Sequence, residues 1–202
     1  MSTQIFLSAF TLAASQIIGI GPQNAFVLKQ GLLRRHVAEV VVFCVLCDVL
    51  LIGAGVFGVG GMLASQPQLL KWLVWLGAAL MFWLSWQSFR TAWQQRSLVG
   101  DDVPQDRRAV FRRLMVVTLL NPYVWLDTVV LIGSISAAYG RDGQLWFMGG
   151  ALAASLLWFS AIGLGARYVA PWFNRPENWQ RLDAVIGAVM LLTAIMLLWQ
   201  HG

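Results

Sequence analysis

The sequence predicts an all-α membrane protein of six transmembrane helices, arranged as two inverted repeats of three helices with a broken first helix in each. Three observations predict it. Hydrophobic residues make up 58% of the 202 residues and charged residues 11%, whereas a soluble domain carries about 25% charged residues. The apolar segments are long enough to cross about 30 Å of hydrocarbon as helices. Helix-breaking prolines also recur at two corresponding positions, Pro22 and Pro122.

Six apolar segments are predicted to span the membrane: residues 5–28, 37–60, 69–89, 114–138, 145–169 and 182–199. We interpret residues 1–202 as a single transporter domain. It divides into a first half (1–89), a cytoplasmic linker (90–113) and a second half (114–202). Three helices per half is an odd number, so the halves face opposite ways across the membrane, as in an inverted repeat. The first segment lacks a basic n-region and is expected to be retained as a span.

Basic residues are concentrated in alternate connections between the predicted spans. Twelve lie in the first, third and fifth connections, and two lie in the second and fourth. Positive-inside bias therefore predicts that the odd-numbered connections are cytoplasmic and that both termini lie outside. A re-entrant first segment would instead place the amino terminus inside. The same bias accounts for the net charge of +5, and no basic domain indicates a nucleic-acid partner.

Polar interruptions break the first and fourth predicted helices. Proline has no N–H and its ring clashes with the preceding turn, so backbone groups near it lose their partners. Within a bilayer such groups are tolerated only where they are buried in protein or line a watery cavity. Paired interrupted helices mark the substrate site of many inverted-repeat transporters. We therefore predict a substrate site formed by these helix breaks and their polar neighbours: Gly19, Gly21, Pro22, Gln23, Asn24, Asn121 and Pro122.

Two carboxylates lie near the centres of predicted spans, Asp48 in the second and Asp127 in the fourth. Each would cost about 2.5–3.5 kcal/mol if it faced lipid, so both are expected to face the protein interior. Asp127 follows Pro122 by about 7.5 Å of helical rise and belongs to the same broken element. No lysine or arginine is predicted at similar depth. The expected partners are a cationic substrate, a proton or the other carboxylate.

Other residue patterns give weaker indications of function. Cys44 and Cys47 share a helix surface with Asp48, which could pass a divalent heavy-metal cation, although small packing residues are the simpler interpretation. Two intramembrane aspartates could also form a protease dyad. However, Asp48 lacks the preceding glycines of such enzymes, and no histidine lies within a predicted span. We expect no enzyme activity, no cofactor and no resident metal.

Several residues are expected to have ordinary structural roles. Trp83, Trp125 and Trp158 lie deeper in the predicted spans than the tryptophans near the span ends. For these three residues a packing role is favoured over substrate contact. Asp183 lies at the end of the sixth span, where an interfacial position would require no special role.

Residues 20–31, Ile-Gly-Pro-Gln-Asn-Ala-Phe-Val-Leu-Lys-Gln-Gly, resemble the lysine exporter (LysE-type) family, in its branch of lysine and arginine exporters. The resemblance continues through Asp48, through residues 120–127 (Leu-Asn-Pro-Tyr-Val-Trp-Leu-Asp) and through residues 154–159 (Ala-Ser-Leu-Leu-Trp-Phe). It covers nearly the whole chain. Gln23 stands where relatives that export neutral amino acids tend to carry Asp, which favours the basic-substrate branch.

The resemblance implies a small permease of the bacterial inner membrane that exports L-lysine, L-arginine or related compounds, driven by the proton or membrane potential. In such a carrier, half-helix N–H groups at one break are expected to meet the α-carboxylate of the substrate. Asp48 and Asp127 are expected to meet its cationic groups, while Gln23, Asn24 and Asn121 orient it by neutral hydrogen bonds.

Alternatives remain open at the level of sequence. They are an exporter of neutral amino acids such as homoserine or threonine, an exporter of divalent heavy-metal cations, and a membrane scaffold without transport. The expected partners are the amino-acid substrate and the lipid bilayer, and a chain of six helices is also small enough to form a homodimer. The residues do not choose between lysine and arginine.

Overall fold

The computed structural model describes residues 2–19, 21–93 and 106–201, and every regular element within these ranges is helical. Much of the predicted linker, residues 94–105, lies outside the described residues, as does Ile20 within the first break. The helices are α1 (Ser2–Ile17), α2 (Pro22–Leu32), α3 (Val37–Ala64), α4 (Pro67–Trp93), α5 (Arg107–Thr118), α6 (Pro122–Ala137), α7 (Gly140–Val169) and α8 (Pro176–His201). A short 3₁₀ turn, Ala170–Asn174, follows α7.

Four helices, α3, α4, α7 with its 3₁₀ turn, and α8, are individually long and apolar enough to cross a membrane. The remaining helices qualify only as two bent pairs. α1 and α2 meet at 79°, and α5 and α6 meet at 52°. The prediction of an all-helical, multi-pass membrane protein is thereby confirmed. The two bends fall in the first and fourth predicted spans, where the prolines predicted them.

Helix ends differ from the predicted span ends by several residues. α5 begins at Arg107 although apolar character begins only near residue 114, because Asp106 caps the helix and its Oδ2 accepts from the N–H of Ala109 at 3.1 Å. α7 begins at Gly140 and α8 at Pro176, each several residues before the predicted span. Hydropathy detects the hydrocarbon-crossing part of a helix, whereas capping and proline decide where the helix begins.

The bent pair α1–α2 follows α7 along most of its length. Ile5 of α1 lies against Gly143 near the start of α7, where a Cβ on Gly143 would come 3.3 Å from the Ile5 Cδ1. Gly31 of α2 lies against Gly163, twenty residues further along α7. Twenty residues of α-helix rise about 30 Å, the thickness of the hydrocarbon core. The contacts of α1 and α2 with α7 therefore extend over a length close to the thickness of the hydrocarbon core.

The bent pair α5–α6 follows α3 in the same way. Arg107 at the start of α5 forms an ion pair with Glu39 at the start of α3, with 2.9 Å between Nε and Oε2. Near the other end of α3, Gly133 of α6 approaches Gly55 so closely that a Cβ on Gly133 would lie 2.5 Å from the Gly55 carbonyl oxygen. Each broken helix thus lies along a long helix from the other half of the chain, either α7 or α3, and α3 is itself kinked at Phe57 and Gly58.

The third helices of the two halves, α4 and α8, pack against each other. The Ser85 hydroxyl of α4 donates to the carbonyl of Gly187 in α8 at 2.7 Å, and Met81 packs with Ile186 and Met190 in a buried cluster. Ala25 of α2 belongs to the same cluster. The α4–α8 pair is thereby attached to the rest of the bundle near the first break.

Asp183 was expected to lie at the membrane interface without a special role, but the structure places it in a largely buried ion pair. Its side chain is 5% exposed, and its Oδ1 lies 2.7 Å from the Nζ of Lys29, whose side chain is 13% exposed. The pair joins α2 to α8 beside the apolar residues Leu32 and Trp179. The position of Asp183 at the end of a predicted span did not reveal this pairing, because Lys29 lies 154 positions away in the chain.

Adding one methyl group at Gly31 is expected to destabilise the fold. The Cβ of Gly31→Ala would lie 2.5 Å from the backbone oxygen of Gly163 and 2.7 Å from the Ala166 Cβ, so α2 and α7 would have to separate. Overpacking of this kind costs about 1–3 kcal/mol. Gly165→Ala is the matched control, because its Cβ would enter open space. Thermal unfolding in detergent should show a lower midpoint for Gly31→Ala alone; equal midpoints would contradict the close packing.

The Lys29–Asp183 pair is expected to show strong energetic coupling. Asp183→Leu leaves the mostly buried ammonium of Lys29 without this carboxylate, and breaking a buried pair costs about 3–5 kcal/mol. The double variant Lys29→Met, Asp183→Leu removes both charges and should recover part of that loss. Unfolding midpoints of the two single variants and the double variant complete the cycle. Strictly additive losses would show that the pair is not coupled.

Candidate functional site

A cavity lies at the level of the two breaks, where α2, α3, α6 and the end of α1 meet. Its empty volume is about 620 Å³, a figure that includes space open to solvent. Every site residue predicted from the sequence except Pro122 lines this cavity. The fold therefore brings the two breaks and the two carboxylates together, although the chain separates them by up to about one hundred positions.

Two apolar clusters flank the cavity. The Phe26 cluster consists of Phe26, Val27, Val40, Val41, Cys44, Val110, Leu114, Val117 and Phe159. The Phe147 cluster consists of Ala9, Ala13, Ile52, Val56, Ile132, Phe147, Ala151 and Ala154. Phe159 of the first cluster and Ile52 and Ile132 of the second also line the cavity. The polar groups thus form a layer between two apolar layers.

The two halves of each broken helix belong to different clusters. Residues of α2 and α5 belong to the Phe26 cluster, whereas residues of α1 and α6 belong to the Phe147 cluster. α7 is continuous and contributes to both clusters. α3 also contributes to both, through residues that precede its kink at Phe57 and Gly58. The two breaks therefore lie where the chain passes from one apolar cluster to the other.

Asp48 is held by α3 against α7. It is 6% exposed, and its Oδ2 accepts a hydrogen bond from the Ser155 hydroxyl at 2.6 Å. The sequence analysis assigned no separate role to Ser155 and did not predict this contact. The signal was its hydroxyl within an otherwise apolar segment, since polar residues inside membrane helices commonly carry function.

Asp127 lies on α6, within a stretch of wider, π-type turns from Trp125 to Ile132. Such turns are frequent at functional sites because they change the direction of side chains relative to a regular α-helix. Asp127 lines the same cavity as Asp48. Among the described residues that line the cavity, none is Lys, Arg or His. The cavity thus presents two carboxylates without a fixed basic partner in its lining.

The first break is held by the side chain of Asn24, which is 6% exposed. Its Nδ2 donates to the carbonyls of Ile17 at 2.6 Å and Gly19 at 2.5 Å, both freed at the end of α1. Its Oδ1 accepts from the Trp158 indole at 3.3 Å. Sequence analysis expected Asn24 to orient the substrate. In the structure the NH₂ group and the carbonyl oxygen of this side-chain amide both have partners within the protein, because the broken backbone supplies the nearest acceptors.

The second break is held by Trp125 and Asn121. The Trp125 indole donates to the carbonyl of Leu119 at 2.8 Å, and the Asn121 Oδ1 accepts from the N–H of Tyr123 at 3.1 Å. Asn121 is therefore the N-cap of α6. Trp125 and Trp158, which were expected mainly to pack, each contribute a hydrogen bond at a break. Trp83 is 54% exposed and does not line the cavity.

Three amide groups beside the cavity retain hydrogen-bonding capacity. The Gln16 Oε1, the Gln23 Nε2 and the Asn121 Nδ2 are buried atoms without a hydrogen-bond partner. Buried polar groups usually have partners, and an exception at a cavity indicates a place for a ligand or water. Sequence reasoning found Gln23 and Asn121 and missed Gln16, a polar residue within the first apolar segment.

The cysteines beside Asp48 are buried, and Cys44 packs within the Phe26 cluster. Across the part of the chain that the structure describes, no group of three or more His, Cys, Asp or Glu side chains is placed to hold a metal ion. The contacts of Cys44 are those of a packing residue.

Substitution of Asn24 is expected to disturb the first break. Asn24→Asp replaces the Nδ2 donor by an oxygen that repels the carbonyls of Ile17 and Gly19, and unsatisfied buried groups cost about 1–3 kcal/mol each. Asn178→Asp, on an exposed Asn–carbonyl contact outside the cavity, is the control. Amide hydrogen exchange of residues 17–27 should become faster in Asn24→Asp only. Unchanged exchange would exclude Asn24 as the support of the break.

Comparison with known proteins gives a consistent result. The family model described as LysE type translocator matches residues 14–201. Among curated proteins, arginine exporter protein ArgO of Serratia proteamaculans is 37% identical over 198 residues, covering 97% of each chain. ArgO of Yersinia enterocolitica is 38% identical over 195 residues, covering 96% of this chain and 95% of the relative. ArgO of Pectobacterium carotovorum is 36% identical over 200 residues, covering 98% of each. No solved structure matches the chain.

Proposed function

Because this chain belongs to the LysE type translocator family, we propose that it exports basic amino acids, L-arginine in particular, across the bacterial inner membrane. One observation carries the choice of a basic substrate. Asp48 and Asp127 line one cavity between two apolar clusters, and the described lining contains no basic side chain. A carboxylate pair in such surroundings is complementary to a cation, and a cationic substrate supplies the charge that the lining lacks.

Arginine fits this pair in two respects. Its guanidinium is planar and presents several N–H donors, which match carboxylate oxygens in a bidentate manner. Three relatives that cover almost the whole chain are named as arginine exporters. Lysine carries a cation of the same sign and is the proposed second substrate. Neutral amino acids such as homoserine would leave the second carboxylate without a partner.

The transport cycle that we propose is alternating access of the two halves to one site. Support comes from the helix pairing, because each broken helix lies along the second helix of the other half and the two third helices pair with each other. Exchange of the halves by a two-fold axis in the membrane plane would produce this pairing, as in inverted-repeat transporters. Protonation of an Asp on the empty carrier would couple export to the proton gradient.

The orientation that we propose places the odd-numbered connections in the cytoplasm. The Arg107–Glu39 pair joins the helix starts that follow the first and third connections, and these connections carry much of the basic charge. In this proposal α1 and α2 cross the membrane together as one broken span, so the amino terminus lies outside. The cavity is built by a single chain, so a homodimer is compatible with the site and not required for it.

Replacement of either cavity carboxylate is expected to abolish arginine export. Asp48→Asn and Asp127→Asn preserve shape while removing the charge that meets the guanidinium, and rates should fall at least tenfold. Asp142→Asn at the exposed start of α7 is the matched control and should transport normally. The measurement is counterflow of labelled arginine in proteoliposomes, with quantified protein in each preparation.

Competitors in the same assay separate the alternatives. Unlabelled arginine and lysine should suppress labelled arginine uptake, whereas homoserine, threonine and divalent heavy-metal cations should not. Wild-type rates in both single Asn variants would remove the proposed role of the carboxylates. Absence of arginine counterflow by the wild-type protein, at densities that retain folded protein, would refute the proposed substrate.

A further inference from the structure

We infer that the cavity contains a subsite for the α-carboxylate of the substrate, formed by the N-terminus of α2 together with the side-chain amides of Gln23 and Asn121. The inference rests on the proposed function and deepens it. It assigns the anion-binding end of the site to the first break, and it requires a substrate with a free carboxylate. A cationic amine without that group should be a poor substrate.

The N-terminus of α2 lacks a side-chain cap. Its N-cap is Gly21, an extended residue that has no side chain to accept from the first turn. Pro22 follows at the first helical position and has no N–H, so the available donors are the N–H groups of Gln23 and Asn24. Both residues line the cavity. A helix of eleven residues with an uncapped N-terminus at a cavity suits an anion through its N–H groups and its dipole.

The N-terminus of α6 differs in this respect. There Asn121 accepts from the N–H of Tyr123 through its Oδ1, so the first turn already has a protein partner. This contact also fixes the orientation of the amide, because only the oxygen can accept from an N–H. Its Nδ2 is consequently presented as a donor. The two breaks are equivalent in position along the halves but not in their capacity to bind an anion.

Asn121 supplies an observation that is independent of the α2 N-terminus. The residue is 0% exposed, lines the cavity, and leaves its Nδ2 without a hydrogen-bond partner. Gln23 lines the same cavity with its Nε2 unpartnered. A buried donor without an acceptor is unfavourable, and a carboxylate oxygen is the acceptor that gives the strongest neutral-donor hydrogen bond.

Donors and acceptors are therefore contributed by different parts of the cavity. Backbone and amide N–H groups come from the start of α2 and from Asn121, whereas the carboxylates come from α3 and from the π-type stretch of α6. A basic amino acid has the matching division, with an anion at its α-carbon and a cation at the end of its side chain. The subsite distinguishes arginine from agmatine, which keeps the guanidinium and lacks the carboxylate.

The first test uses the wild-type protein. In counterflow of labelled arginine, unlabelled arginine should inhibit at concentrations about tenfold or more below those required for agmatine or arginine methyl ester, since both lack the carboxylate that accepts charge-assisted hydrogen bonds. Equal inhibition by arginine and agmatine, with arginine transport intact, overturns the subsite and leaves the proposed export function standing. Absence of any arginine counterflow overturns both.

The second test separates the donor of Asn121 from its capping role. Asn121→Ser and Asn121→Asp both retain an oxygen that can cap α6, and neither retains the Nδ2 donor. Ser should raise the half-saturating arginine concentration about tenfold and leave agmatine inhibition unchanged. Asp, which adds a negative charge, should weaken arginine further and improve agmatine inhibition. Wild-type half-saturation by arginine in both variants overturns the assignment, and the wild-type competition result stands even where a variant folds poorly.

Discussion

The requirement that backbone groups inside a bilayer find partners within the protein governs this structure. Two helices are interrupted at membrane depth, and each interruption frees carbonyls that no lipid can satisfy. At the first break the Asn24 side chain donates hydrogen bonds to two of these carbonyls and accepts one from the Trp158 indole. At the second break the Trp125 indole donates a hydrogen bond to the carbonyl of Leu119. Both breaks are thus supported by side chains of the protein, which is why irregular backbone persists beside a polar cavity.

Close contact between helices places these supports within reach. Gly31 against Gly163 and Gly133 against Gly55 bring backbones together at distances that leave no room for a Cβ. Small residues at such crossings allow membrane helices to approach through van der Waals packing, since lipid provides no hydrophobic drive between helices. The crossings fix each broken helix against a long helix of the other half, and the cavity forms where the broken helices depart from regular geometry.

Local features of the sequence were sufficient to predict the two helix breaks and the two inward-facing carboxylates. Pro22, Pro122, Asp48 and Asp127 are conspicuous because each is polar or helix-breaking within an apolar segment, and the cost of such residues in lipid predicts that they face inward. The partners could not be predicted from local signals. The Ser155–Asp48 bond and the Lys29–Asp183 pair join residues more than one hundred positions apart. The role of Asn24 depended on where the freed carbonyls point, which only the folded backbone decides.

The division of each broken helix between the two apolar clusters connects this architecture with transport. A carrier with one central site has to open one barrier while the other stays closed. α2 and α5 belong to the Phe26 cluster, and α1 and α6 belong to the Phe147 cluster. In place of either broken helix, a continuous helix would add a further rigid connection between the two clusters beside α7. The residues that join the halves of each broken helix include groups that line the cavity, namely Gly19 and Gly21 at the first break and Asn121 at the second. Under the proposed function, groups at the substrate site therefore also take part in connecting the two barriers, so that occupancy of the site and the position of the barriers are linked through shared residues.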